Sequence, residues 1–390
     1  MNRSPPALMY ALLVACLAVA GTAFAGEPRA RDLGVPFDGI PGPLNAITDV
    51  SGVTVGQVTL IEDLDGGRKV RTGVTAIVPR GRQSLNSPVY GGWFELNGNG
   101  EMTGTTYLDE MGQIDGTIML TNTHSVGVVH DAVIAWRVRA GAADASGYWW
   151  SSPVVAETWD GDLNDINGFH VHPEHVDRAL DEAKGGAVAE GNVGGGTGMM
   201  CFDFKCGIGT ASRRIDESGR QYIVGVLVQA NYGSGARESL RIAGVPIGQL
   251  IGPNTARIAT GGDTGSIIIV VATDAPLLPH QLKRMAKRAA LGLGRTGSFA
   301  ANGSGDIFVA FSTANPAALQ GKPLAESAFV GNGYLDPFFA ATVAATEEAI
   351  ANAMVAARDM QGTDGHVAKA LPHSELVTLL KRFGRYQAPH

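Results

Sequence analysis

Cysteine is nearly absent. Three occur in 390 residues, and Cys16 lies in an N-terminal stretch that reads as a leader. The remaining pair, Cys201 and Cys206, is too few for a zinc site. Phe202 and Phe204 alternate as in a strand, and a separation of five then puts the two thiols on opposite strand faces. An exported protein can hold a disulfide here, but the pattern predicts two reduced, packed cysteines. Basic charge is also in short supply, with 30 Lys and Arg against 37 Asp and Glu. Loss of Arg3 with the leader moves the formal net charge from −7 to −8. This argues against nucleic acid as the main partner and suits a soluble protein acting on small or cationic molecules. No apolar run is long enough to span a bilayer. Residues 7–20 fall short of the roughly 20 required. That run follows Arg3 and precedes Ala23-Phe-Ala25, which presents small residues where a signal peptidase reads. The expectation is a signal peptide over residues 1–25, a mature chain from Gly26 to His390, and export to the periplasm.

Several catalytic signatures are missing as well. No Gly-x-Ser-x-Gly elbow occurs, which argues against an α/β-hydrolase. No Ser-x-x-Lys occurs, which removes the penicillin-binding class. The glycine cluster Gly191-Asn-Val-Gly-Gly-Gly-Thr-Gly198 matches neither a Walker loop nor a dinucleotide fingerprint. With Asn97-Gly-Asn-Gly-Glu101 it reads as loop that needs positive φ or close backbone approach.

What is present is a series of apolar runs separated by helical patterns. Residues 116–121, 222–230, 266–272 and 307–311 are nearly all apolar, as in strands covered on both faces. Helices are predicted over 173–184, 279–293, 336–360 and 373–382. Pro173 suits a first helical turn. Leu282, Met285, Ala286, Ala289 and Leu293 share one helix face, and residues 336–360 read as long, alanine-rich and amphipathic. Helices covering two-sided strands point to layered α/β packing.

Two constellations carry chemistry. His170-Val-His172-Pro-Glu174-His175 resembles the metal loop of metallo-β-lactamase-type hydrolases. Such a site needs further ligands downstream, and no histidine occurs between His175 and His280; Pro173 also starts a helix inside the triplet. The second is Gly262-Asp-Thr-Gly-Ser266 ahead of the apolar strand. A serine that becomes chain-terminal carries its own base, because a free α-amine titrates at about 7.7–8.0 in unstructured peptides. Gly265 would let the preceding backbone take a strained conformation that favours attack of the Ser266 hydroxyl on the Gly265 carbonyl.

Nine blocks run in order along the chain: Asn97-Gly-Asn-Gly-Glu-Met-Thr-Gly104, Pro153-Val-Val-Ala-Glu-Thr158, Asp160-Gly, Leu163-Asn-Asp165, Gly195-Gly-Thr-Gly-Met199, Gly207-Ile-Gly-Thr210, Val228-Gln-Ala-Asn-Tyr-Gly233, Gly265-Ser266 and Asn302-Gly-Ser-Gly-Asp-Ile-Phe308. On these the chain resembles the DmpA/β-aminopeptidase family of self-processing serine peptidases. The resemblance implies a single catalytic domain with a four-layer αββα sandwich, like the N-terminal-nucleophile hydrolases but differently connected. It implies autocleavage between Gly265 and Ser266 into chains 26–265 and 266–390, and a homo-oligomer of the processed heterodimer. Residue by residue, Ser266 matches the nucleophile, and Ser304 and Asp306 match a Ser-Gly-acid pair that orients and tunes it. Asn231 matches a side-chain donor to the oxyanion. Glu157 matches the carboxylate that holds the substrate's free amine. Trp159 stands where the family often has tyrosine; indole can donate but cannot accept a proton, so the pocket or the oxyanion network is altered there.

The activity implied is release of N-terminal amino acids from peptides, amides or esters, with no metal or cofactor. Gly265 is like the L-aminopeptidase branch; a β-aminopeptidase or a D-amino-acid amidase or esterase on the same scaffold is the nearest alternative. From other classes, a metal-dependent hydrolase through His170, His172 and His175, or an uncleaved non-catalytic binding protein, stays open.

Overall fold

A computed structural model describes residue 1 and residues 27–82, 87–141, 150–217, 219–252, 265–318 and 323–389. Residues 2–25 of the predicted leader and residues 262–264 lie outside them. The first half runs β1 (Thr54–Asp63), β2 (Lys69–Arg82), β3 (Val89–Gly98), α1 (Thr105–Met111), β4 (Gln113–Ile114), β5 (Ile118–Asn122), α2 (Val126–Arg139), β6 (Val154–Thr158), α3 (Pro173–Asp181). The rest runs β7 (Met200–Cys201), β8 (Phe204–Lys205), β9 (Ile208–Glu217), β10 (Arg220–Asn231), α4 (Ile247–Leu250), β11 (Ser266–Thr273), α5 (Pro279–Arg295), β12 (Gly305–Ser312), α6 (Asp336–Val355), β13 (Met360–Gln361), β14 (Val367–Ala368) and α7 (His373–Arg382).

Two sheets face each other. One has the order β1-β2-β5-β6 and the other β4-β3-β12-β11-β10-β9. Ile77, Ile118, Leu120 and Ala156 from the first meet Leu227, Ile268, Val270 and Val309 from the second in one buried cluster. On the outer side of the first sheet, Val74, Ala76 and Met119 pack on Val129, Val133 and Trp136 of α2 and Val176 and Leu180 of α3. On the outer side of the second, Ile267, Ile269, Val271, Phe308 and Ala310 pack on α5 and α6. The layering is therefore αββα, as the resemblance implies. It explains why the inner strands carry no polar face: all eight residues of β11 and all eight of β12 are buried, the pattern of strands covered on both sides. β11 and β12 are parallel, so a crossover must join them, and α5 supplies it. Its face Leu282, Met285, Ala286, Ala289 and Leu293 is buried as predicted.

Two expectations change. The helix predicted over 336–360 ends at Val355, and it is not amphipathic: of its 20 residues only Asp336, Pro337, Ala340 and Glu347 escape burial. Its alanines serve close approach. A Cβ on Gly209 of β9 would fall 1.9 Å from the Ala349 carbonyl oxygen, and one on Gly292 of α5 would fall 2.6 Å from Thr346 Cβ. The single acid it buries fully, Glu348, is neutralised by Arg213 at 2.6 Å and Arg31 at 2.7 Å, as a buried charge requires.

The second change concerns the cysteines. Cys201 and Cys206 form a disulfide, with Cα atoms 5.4 Å apart. The strand expected through them is a hairpin, in which Cys201 of β7 pairs with Phe204 of β8. Phe202 and Asp203 turn the chain with φ of 51° and 62°. Two left-handed residues reverse the chain direction and bring together thiols that an extended strand would hold apart.

Candidate active site

Ser266 is the first residue of β11, which lies inside the six-stranded sheet between β12 and β10. It pairs with Gly305, the first residue of parallel β12, and with Asn231, the last residue of antiparallel β10. The edge strand β6 of the facing sheet ends at the same place with Glu157 and Thr158. An open cleft of about 600 Å³ there is lined by Asn99, Gly100, Glu101, Thr123, Glu157, Trp159, Asp162, Ser266 and Gly303. Strand alternation puts Ser266 on the inter-sheet face with Ile268 and Val270. Among the described residues no hydrogen bond engages its hydroxyl.

The residue before it is held closely. A Cβ on Gly265 would lie 2.3 Å from Tyr232 Cα and 2.7 Å from the Asn231 carbonyl oxygen. Gly265 is not among the positive-φ glycines. The strained backbone expected at Gly265 is thus not a left-handed one; what demands glycine there is the close approach of the end of β10. The Gly265 carbonyl oxygen accepts the Gly305 N–H at 3.1 Å.

Asn231 is nearly buried and shares the inter-sheet face. Its Oδ1 accepts the Met200 N–H at 2.8 Å, so the carbonyl end of the amide is committed and the NH2 end is the donor left for a ligand. Glu157 is 3% exposed. Its Oε1 accepts the Glu101 N–H at 3.0 Å, and the Thr123 hydroxyl donates to Oε2. Burial pushes its carboxyl above the usual glutamate range, and these two bonds pull against that shift. Among the described residues it makes no ion pair.

Ser304 and Asp306 come together as expected, with Ser304 Oγ donating to Asp306 Oδ1 at 2.7 Å. Asp306 follows the helix-facing alternation of Phe308 and Ala310. It therefore lies beside the backbone of β11, on the face opposite the Ser266 hydroxyl. Between Asp306 and Ile307 the pairing with β3 slips by one residue, a bulge of the kind that re-aims side chains near sites. The loop feeding β12 is pinned by two asparagines of the Asn97-Gly-Asn-Gly block: Asn97 Nδ2 donates to the Ala301 oxygen and Asn99 Nδ2 to the Gly303 oxygen, each at 2.6 Å.

Trp159 walls the cleft and is 37% exposed. Its ring meets His124 edge-on at 5.7 Å and covers Gly161, where a Cβ would be 2.3 Å from the indole. The other glycine cluster is structural. Gly194 and Gly195 give their N–H groups to the Thr59 and Thr75 hydroxyls, which leaves them unavailable to a phosphate.

The histidine triplet does not gather. His170 Nε2 pairs with Asp165 at 3.1 Å, and His175 Nδ1 accepts the His172 N–H at the start of α3. Among the described residues no group of three or more His, Cys, Asp or Glu is arranged to hold a metal. Thr123, Glu101 and Asp162 were missed in the sequence. Glu101 lay in a recognised block but had no role there, and Thr123 carries no local signal, since only the pairing of β5 with β6 brings it to Glu157.

The αββα layering, with a buried serine at the head of an inner strand and a buried carboxylate in the same cleft, is that of the N-terminal-nucleophile hydrolase fold. Residues 45–368 match peptidase family S58, and the chain belongs to that family and is a serine aminopeptidase. It is 53% identical to the β-peptidyl aminopeptidase BapA of Sphingosinicella microcystinivorans, over 98% of this chain and 99% of that one. Among solved structures it is similar to the L-aminopeptidase D-Ala-esterase/amidase of Ochrobactrum anthropi, a variant of the Ntn hydrolase fold. The TM-score is 0.87 and the identity 48%, over 92% of this chain and 100% of that one. It is also similar to a Burkholderia sp. β-aminopeptidase, with TM-score 0.82 and 46% identity over 92% and 99% of the two chains.

Proposed function

We propose that the chain cuts itself between Gly265 and Ser266 and then uses Ser266 to release N-terminal residues from peptides, amides or esters. The observation that carries this reading is that Ser266 shares one cleft with a buried Glu157 that, among the described residues, meets no cation. In the self-cleavage, the Ser266 hydroxyl attacks the Gly265 carbonyl carbon. The peptide C–N bond breaks as the ester forms, and the nitrogen takes the proton to become the free α-amine of Ser266. Water hydrolyses the ester, leaving a Gly265 carboxylate and the Ser266 hydroxyl.

In turnover the substrate's ammonium pairs with Glu157. The Ser266 amine accepts the hydroxyl proton as Oγ attacks the substrate carbonyl. The Asn231 NH2 donates to the oxyanion, the proton passes to the leaving amine, and water then releases the acyl group. Ser304 and Asp306, beside the β11 backbone, tune the amine rather than the hydroxyl. Trp159 bounds the substrate's first side chain. A substrate lacking a free amine leaves Glu157 buried and unpaired, which is penalised, and this accounts for aminopeptidase rather than endopeptidase behaviour.

A second reading, that the acyl group is a β-amino acid, is favoured by the 53% identity to a β-peptidyl aminopeptidase over nearly the whole chain. The pattern of residues 1–25 supports export to the periplasm, and the family resemblance supports a homo-oligomer of processed heterodimers. No helix among the described residues is long and apolar enough to cross a membrane.

The test is a panel of α- and β-amino-acid amides beside their N-acetylated forms. Hydrolysis of the free-amine amides alone, abolished in Ser266→Ala, is expected. Equal hydrolysis of the acetylated forms would contradict the role of Glu157.

A further inference from the structure

We propose that Lys205 is a positioning residue for the oxyanion donor, acting through the single peptide unit that joins Met199 to Met200. This rests on the reading of Ser266 and Asn231 above. Lys205 is fully buried. Its Nζ donates to the Met199 oxygen at 2.8 Å and the Cys206 oxygen at 2.6 Å, with the Gly196 oxygen at 3.5 Å. Among the described residues no carboxylate pairs with it. A lysine buried without a counter-ion is costly, and burial holds its pKa well below the usual lysine value. The aminopeptidase mechanism makes no use of it.

The carbonyl it holds belongs to the same planar unit as the Met200 N–H. In a trans peptide these two groups point in opposite directions. Lys205 therefore sits at one end of the unit, and Asn231 Oδ1 accepts at the other at 2.8 Å. The Cys206 N–H also donates to the Met199 oxygen, at 3.0 Å, and the Cys201–Cys206 disulfide closes the hairpin around the same unit.

The consequence is chemical rather than merely structural. The two ends of an asparagine amide are nearly the same size, so packing does not decide which faces Ser266. The Met200 N–H decides it, because only an oxygen can accept that bond. If the unit rotated, Asn231 could turn its Oδ1 toward the developing oxyanion, placing an acceptor against a negative charge. Donors linked in series also polarise one another, so the Lys205 bond strengthens the Met200 N–H as a donor.

The experiment is a double-mutant cycle on the processed enzyme. Lys205→Met keeps the length of the side chain and removes its donors. We expect kcat on an amino-acid amide to fall about 10- to 100-fold, part of what losing an oxyanion donor costs. KM should change less than about twofold, because Glu157 and its partners lie outside the relay. In an Asn231→Ala background, Lys205→Met should then cost almost nothing more, since its effect passes through that amide. Equal loss in both backgrounds would overturn the proposal, as would unchanged kcat in Lys205→Met.

Lys205→Gln can still donate to a carbonyl and should recover part of the rate; no recovery beyond Lys205→Met counts against the proposal. Should neither variant accumulate as folded protein, hydrogen exchange on the wild-type enzyme decides. A strongly protected Met200 amide supports the relay, and exchange at the rate of an open loop overturns it. Ser266→Ala is assayed alongside. Activity in that variant would remove the nucleophile assignment itself, whereas its inactivity with a normal Lys205→Met would remove only this inference.

Discussion

The Gly305 N–H donates to the Gly265 carbonyl oxygen at 3.1 Å, while the Gly265 Cα packs so closely on the chain leaving β10 that a Cβ would lie 2.3 Å from Tyr232 Cα. The carbonyl that the proposed self-cleavage attacks is thus held from both sides, by β12 through a hydrogen bond and by the end of β10 through contact. Oriented reacting groups account for a large share of such barriers, and a misplacement near 1 Å can cost about 100-fold. Gly265→Ala must displace either β10 or the carbonyl. It is expected to remain a single chain, or to be cut about 100-fold more slowly, as read on a denaturing gel over time. Cleavage at the wild-type rate would mean that the close packing is irrelevant to scission.

In the proposed mechanism Glu157 sets both the amine requirement and part of the pH profile. Glu157→Gln keeps the shape and removes the charge. Hydrogen bonds to charged groups contribute about 1.5–3 kcal/mol, so KM for an amino-acid amide is expected to rise about 10- to 100-fold with a smaller change in kcat. Burial raises the wild-type carboxyl, so its charge is lost as pH falls through a value above the usual glutamate range. Substrate affinity should therefore weaken on the acid side earlier than an exposed glutamate would allow, and that limb should vanish in Glu157→Gln. An unchanged acid limb in the variant would assign it to another group.

Asp160, beside the cleft wall, offers a stability test. It is fully buried, and burial pushes its carboxyl from 3.8 up to about 7 against the hydrogen bond from Asn164. Between about pH 4 and 7 the folded protein keeps a proton that the unfolded chain releases. Stability from this group is therefore fully present below that window and is lost as pH rises through it. Asp160→Asn removes the titration. Its stability relative to wild type is expected to be higher at pH 8 than at pH 4 by at least about 1 kcal/mol, read as the change in Tm difference between the two pH values. A difference independent of pH would place the group's ionisation elsewhere.

Much of the architecture was legible because it depends on local patterns. The apolar runs of β10, β11 and β12, the single buried face of α5 and the bounds of α7 follow from periodicity and proline placement. The helix from Asp336 was legible in kind but not in burial, because which faces are covered depends on β9, β10 and α5 meeting it from different parts of the chain. The cysteine hairpin was misread because Phe202, beside the turn-tolerant Asp203, adopts a left-handed conformation that its residue type does not advertise. Ser266, Asn231, Glu157, Ser304 and Asp306 were reached through motif resemblance. Spacing alone would not have joined Glu157 to Ser266, which lie on different sheets. Thr123 and the Lys205–Met199–Met200–Asn231 relay stayed hidden because each contact joins segments that nothing in the linear order relates.

Scission of the backbone is what the whole scheme requires, and intact mass with N-terminal sequencing reads it directly on purified wild-type protein beside Ser266→Ala. The expected result is two fragments in the wild type, the smaller beginning at Ser266, and one unbroken chain in the variant. Hydrolytically active wild-type protein consisting of a single uncut polypeptide would contradict the account.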